Sequence, residues 1–134
     1  MKINASVKLG IVVPAEASAR EQFASEELHK YLSVMFSGID VSIVTDAVSF
    51  SGNKILIGGP ERNKETARYI SEADFDAATP GPEGMYIKAF GDDTLVIAGS
   101  SKNAGENERG TLYAVYELLE RYFGCILLSI FMFF

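Results

Sequence analysis

Residues 110–124, Gly-Thr-Leu-Tyr-Ala-Val-Tyr-Glu-Leu-Leu-Glu-Arg-Tyr-Phe-Gly, constrain the fold more than any other stretch of the chain. Leu112, Val115, Tyr116, Leu119, Tyr122 and Phe123 fall on one arc at helical spacing. Ala114, Glu117 and Arg121 fall opposite. Glu117 precedes Arg121 by four residues, the orientation that suits a surface ion pair. Gly110 and Thr111 offer a start and Gly124 a left-handed stop. A helix with so broad an apolar arc must lie on a second layer, and the segments upstream make that layer a sheet.

Residues 3–13 alternate, with Ile3, Ala5, Val7, Leu9, Ile11 and Val13 apolar at odd positions. This pattern predicts a half-buried strand, wet on one face at its start and ended by Pro14. Residues 15–37 read as a first long helix with a stripe of Ala24, Leu28, Tyr31, Leu32 and Met35, stopped by Gly38. Val41–Thr45 is a short strand followed by a serine- and glycine-rich loop. Ile55-Leu56-Ile57 is a compact apolar run, the mark of a strand buried on both faces. Gly58-Gly59-Pro60 lacks the spaced glycines of a dinucleotide fingerprint and the Gly-Lys-Ser/Thr ending of a phosphate loop, so it reads as a turn. A short helix is expected within 61–72, ending near Tyr69-Ile70. A loop is expected over 73–84 on the strength of Pro80-Gly81-Pro82-Glu83-Gly84. Residues 85–90 and 94–98, joined by Gly91-Asp92-Asp93, predict an antiparallel hairpin. The expected class is α/β or α+β: a mixed β-sheet with the two long helices on one face.

The 134 residues suit one domain with a real core. A formal net charge of -6 leaves no basic stripe to meet phosphates, which argues against a nucleic-acid partner. One cysteine, Cys125, allows no internal disulfide and no cysteine metal cluster, and it reads as a small buried hydrophobe. Residues 3–13 alternate where a secretion signal would be solidly apolar. The apolar run 126–134 is far shorter than the roughly 20 residues of a membrane helix, so no membrane partner is expected. His29, the lone histidine, sits at the flank of its helix stripe and reads as a surface or boundary residue. The carboxylates Glu16, Glu21, Glu26, Glu27, Glu117 and Glu120 fall where solvated faces are expected, and no spacing selects a catalytic pair. No catalytic residue, metal ligand or cofactor is therefore assigned. Ligand-binding residues stay open: Tyr69 and Tyr113 are the remaining aromatic platforms. The loop bearing Lys102, Glu106, Glu108 and Arg109 suits a sugar site but is more ordinary as a solvated connection.

Several segments together carry a family resemblance. They are Ile11-Val12-Val13-Pro14, then Ala24-Ser25-Glu26-Glu27-Leu28-His29-Lys30-Tyr31-Leu32, then Ile55-Leu56-Ile57-Gly58. Gly84-Met85-Tyr86-Ile87, Leu95-Val96-Ile97-Ala98-Gly99, residues 110–120 and Gly124-Cys125 complete the set. Over about residues 5–125 the chain resembles the N-terminal accessory domain of bacterial alpha-glucuronidases, family 67 glycoside hydrolases. It is similar also to the domain ahead of related barrel proteins of gut Bacteroides-type bacteria and to the non-catalytic second domain of beta-hexosaminidases. The resemblance implies a polysaccharide-degrading context and a periplasmic or extracellular location. It also implies a following (β/α)8 barrel that carries the catalytic carboxylates, which this sequence does not contain.

The resemblance divides the chain into an accessory domain, 1–125, and an atypical tail, 126–134. The family continues after Gly-Cys with Arg and an aromatic, whereas here Ile126-Leu127-Leu128 follows. The tail is uncharged, free of proline and strongly apolar, so it needs cover, either as a last strand of the domain's own sheet or against a second copy. Three functional readings follow: a non-catalytic accessory domain, a free-standing carbohydrate-binding module, and a small enzyme. The third is the weakest, because no nucleophile elbow and no placed carboxylate pair is visible.

Overall fold

A computed structural model describes residues 8–35, 38–79, 84–99 and 109–123, the side chains of 109, 110, 113 and 121–123 excepted. The expectations for residues 1–7, for the loop residues 100–108, for Gly124 and Cys125, and for the tail 126–134 lie outside the described residues, as do those for the side chains of Tyr113, Arg121, Tyr122 and Phe123. Among the described residues five strands form one sheet: β1 (Leu9–Val13), β2 (Val41–Thr45), β3 (Asn53–Ile57), β4 (Met85–Phe90) and β5 (Thr94–Gly99). The helices are α1 (Ala19–Met35), α2 (Glu72–Ala78) and α3 (Arg109–Phe123), with one 3₁₀ turn at Thr66–Arg68. The sheet order is β2-β1-β3-β5-β4. β1 pairs parallel with β2 and with β3, and β3 with β5, while β4 is an antiparallel edge on β5. The chain is α/β with a mixed sheet, as its pattern predicts.

The side-chain period of two sorts the sheet into two cores. Leu9, Ile11, Val13, Ile55, Ile57, Leu95 and Ile97 meet Ala24, Leu28, Tyr31 and Leu32 of α1 and Ala114, Val115, Leu118 and Leu119 of α3. Both long helices thus lie on the same face and touch each other. Val12, Leu56, Val96 and Ala98 point the other way, onto Phe75 of α2 and Tyr86 of β4. Ile55, Leu56 and Ile57 are all 0% exposed, which is the two-sided burial their apolar run implies.

The second face is drier than its alternating strands suggest. It is closed by the stretch from the 3₁₀ turn through α2, where the sequence suggests a helix only up to residue 72 and a loop beyond it. The helical run expected to end near Tyr69-Ile70 shrinks to the 3₁₀ turn Thr66–Arg68, and α2 follows just beyond it, its residues after Glu72 in the stretch expected to be a loop. Ser71 caps α2, its Oγ accepting from the backbone N–H of Asp74 at 3.1 Å, and Glu72 and Asp74 stand in the favourable first turn. Thr79 closes it by donating its hydroxyl to the Phe75 carbonyl at 2.9 Å. The helix escapes periodicity analysis because only one large side chain, Phe75, is buried along it. A single anchor has no period. Phe75 meets Tyr86 edge-on, centroids 5.4 Å apart and planes at 64°.

The arc of α3 is also rotated from its sequence reading. Ala114, placed opposite the apolar arc, is 0% exposed, and Leu118, outside that arc, is 1% exposed. Leu112 and Tyr116 are only half-buried. The cause is that α3 packs on α1 as well as on β5 and β4, so its buried arc faces the angle between two layers rather than the sheet alone. α1 starts at Ala19, later than the pattern suggests. The hairpin forms as expected, with Tyr86 opposite Ala98 and Phe90 opposite Thr94.

Two outcomes are expected. Leu119→Ala, at a fully buried position, should cost about 2–5 kcal/mol in denaturant unfolding, because the vacated volume is walled by two helices and a sheet. Tyr86 and Tyr116 both have hydroxyl pKa values raised above the ordinary 10.0, the first by burial and then Asp74, the second by burial and then Glu27 and Tyr31. In each the folded state holds its proton longer than the unfolded chain. Stability should therefore be whole below pH 10 and fall as pH rises above it through the folded-state values. Tyr86→Phe and Tyr116→Phe together should flatten that alkaline fall in urea titrations at stepped pH.

Candidate functional site: a crevice at the carboxyl ends of the parallel strands

β1, β2 and β3 run parallel, so their carboxyl ends share one edge of the sheet. From β1 the chain passes to β2 on one side, whereas β3 lies on the other. Such a reversal leaves a crevice outside the strand ends, where open α/β sheets bind their ligands. Here it holds a cavity of about 380 Å³ lined by Ala15 and Glu16 after β1, Asp46 after β2, and Pro60, Glu61, Arg62 and Lys64 after β3.

Three buried polar side chains, Glu21, Asp46 and Asn63, tie together the loops that form it, and Asp46 lines the cavity itself. Ser18 and Glu21 form a capping box at the start of α1: Glu21 N–H donates to Ser18 Oγ at 3.1 Å and Ser18 N–H to Glu21 Oε1 at 2.8 Å. Glu21 is 2% exposed, although the sequence placed it on a solvated face. The burial is made tolerable by Arg62, whose Nη2 donates to Oε1 at 2.7 Å and whose Nε donates to Oε2 at 3.2 Å. Arg62 Nη2 also donates to the Glu16 carbonyl at 3.0 Å, binding the loop after β1 to the loop after β3. The three-residue spacing of Ser18 and Glu21 is that of a capping box, whereas a partner 41 residues away leaves no local mark in the sequence.

Asp46 joins the same loops from below. Its Oδ1 accepts from Ala15 N–H and its Oδ2 from Lys64 N–H, each at 2.8 Å. Asn63, 0% exposed, donates from Nδ2 to the carbonyls of Val12 at 3.0 Å and Ile57 at 2.9 Å. Its Oδ1 accepts from the N–H groups of Glu65 and Thr66 at 2.9 and 3.4 Å. Gly58 and Gly59 make room for this arrangement. Gly58 has φ +104°, and a Cβ there would stand 3.2 Å from Glu21 Oε2; one on Gly59 would stand 2.7 Å from the Phe75 ring. The turn is thus a clearance for buried chemistry. Among the described residues, no buried side-chain nitrogen or oxygen lacks a partner.

The remaining candidates sit elsewhere. Tyr69 is no open platform: its ring stands 5.4 Å from that of Phe90, with Lys54 Nζ 5.8 Å from its centroid and its hydroxyl 3.4 Å from Thr94 Oγ1. His29 lies half-buried with Nε2 3.0 Å from the Val41 carbonyl, a boundary residue as its position suggests. Glu26 and Glu120 are exposed, and Glu27 and Glu117 half-buried, away from the crevice. Among the described residues no three His, Cys, Asp or Glu side chains gather to hold a metal ion, and no helix is long and apolar enough to cross a membrane. No known protein family and no curated protein matches the sequence.

The walls yield three sharp expectations. Arg62→Ala strands a buried carboxylate and should cost about 3 kcal/mol or more. Arg68→Ala removes a mostly exposed partner of Glu65 and should cost under about 1 kcal/mol. Asn63→Asp turns two donors into acceptors that face two carbonyls, and should destabilise more at pH 7 than at pH 3, where a protonated acid can donate once. Urea unfolding of the variants beside the parent at both pH values checks each.

Proposed function

We propose that this chain is a non-catalytic accessory domain of a carbohydrate-active protein of the glycoside-hydrolase kind, the catalytic (β/α)8 barrel being a separate unit. The observation that carries this reading is where the resembling segments fall. Ile11-Val12-Val13-Pro14, Ile55-Leu56-Ile57 and Leu95-Val96-Ile97-Ala98-Gly99 make the central strands, and residues 24–32 and 110–120 make the two helices over them. They are the pieces that define a domain's frame, and a frame is what an accessory domain shares with its relatives. Of the buried carboxylates around the crevice, Glu21 is committed to Arg62 and to the helix cap, and Asp46 to two backbone N–H groups. In this reading the domain's partners are the barrel, a carbohydrate and, through the apolar residues 126–134, a second copy, in a periplasmic or extracellular setting.

The isolated chain should release no sugar from glucuronoxylan oligosaccharides or aryl glycosides. Release that a point mutation in this chain abolishes would overturn the accessory reading. The DNA beyond the Phe134 codon tests it from another side, since a barrel-coding frame there would supply the missing unit. For the tail, sedimentation of the full chain against a version ending at Ser129 should show loss of a dimer. Two equally soluble monomers would remove the dimer from the proposal.

The second reading, a carbohydrate-binding module, is favoured by one feature, the crevice cavity.

A further inference from the structure

The side chains of Glu16, Glu61 and Lys64 are exposed at the mouth of the crevice. Among the described residues none of the three makes a hydrogen bond or ion pair through its side chain. Arg62 and Asp46, by contrast, are committed to the walls. The cavity therefore offers two carboxylates and one ammonium to a visitor, over the small apolar surfaces of Ala15 and Pro60. An anion would meet two carboxylates. A cation would meet Lys64, with the Arg62 guanidinium behind it. A neutral ligand whose groups both donate and accept meets neither penalty: its hydroxyls can donate to Glu16 and Glu61 and accept from Lys64. Its C–H faces can rest on Pro60 and Ala15.

We propose that this crevice is a binding site for a neutral, hydroxyl-rich ligand, a sugar of roughly one or two rings. The volume of about 380 Å³ lies toward the small end of ligand cavities. The walls are held before any ligand arrives, because Asp46, Asn63, Glu21 and Arg62 join the three loops that form them. Binding then orders only three surface side chains, which suits a weak, preformed site with a millimolar Kd. The proposal rests on the carbohydrate-binding reading of this crevice, carried by the cavity and its charges, and is independent of the accessory-domain reading. Failure to bind leaves that reading standing, and sugar release would overturn that reading while leaving this one.

The test is an amide-resolved NMR titration of the full chain with four probes: xylobiose and cellobiose as neutral sugars, sodium phosphate as an anion and glycine as a zwitterion. At least one disaccharide should shift the amides of Ala15, Glu16, Asp46 and residues 61–64 with saturating, millimolar curves. Lys64→Ala combined with Glu61→Gln should weaken that binding about tenfold while leaving the thermal unfolding midpoint in place, since both side chains are exposed. Shifts by neither sugar, shifts confined to other parts of the chain, response to phosphate or glycine alone, or an unchanged affinity in the double variant would each overturn it.

Discussion

One amide holds the middle of the sheet together at its working end. Asn63 donates to Val12 and Ile57, the last carbonyls but one and last of the two central strands, and accepts from the two N–H groups that begin the next turn. Parallel strands cannot be joined by a tight hairpin, so their ends diverge into long connections and leave strand-end carbonyls facing a dry interior. Here β1 and the last three residues of β3, Ile55–Ile57, are buried, and water cannot serve those carbonyls. A side chain with two donors and one double acceptor closes the account at a single position. Once Asn63 is in place, the loop after β3 has a fixed path, and Asp46 and Arg62 can tie the other two loops to it.

The two charged ties differ in kind. Asp46 is satisfied by backbone N–H groups, donors whose positions are set by the fold itself. Glu21 depends on a long side chain from another segment, and Arg62 remains 35% exposed. A buried carboxylate with a half-exposed partner contributes little net stability compared with a packed apolar pair. What it supplies is position: the first turn of α1 and the loop after β3 can meet in only one geometry. That geometry keeps the crevice open, where a purely apolar contact would tend to collapse it.

Much of the frame was legible because it is periodic. The alternation around Leu9–Val13, the apolar run Ile55–Ile57 and the hairpin at Gly91-Asp92-Asp93 each carry a local signal, and all three elements form. The stripe of α1 was legible for the same reason. The face of α3 was half legible: periodicity gives a helix and its apolar fraction, but Ala114 shows that the buried arc is decided by how many layers the helix touches. α2 was hidden because one phenylalanine does its packing. The crevice was nearly invisible. Asp46, Arg62 and Asn63 look like ordinary loop residues, and the bonds by which they join separate loops span 18 to 51 positions of sequence. Only the Ser18–Glu21 spacing, that of a capping box, is a local mark at one corner of it.

The bond between His29 and the Val41 carbonyl has a consequence for solubility. Leu9 N–H takes the Asp40 carbonyl, so alternate carbonyls of β2, beginning with that of Val41, face away from β1 along the outer edge. β2 reads Val-Ser-Ile-Val-Thr, short but without a charge or a proline, the sort of rim onto which a stray extended chain can zip. The imidazole occupies the first rung of that open ladder. An incoming strand must evict a ring anchored on the long helix before it can add its own first hydrogen bond. Among the described residues, the lone histidine thus blocks the first rung of the β2 edge.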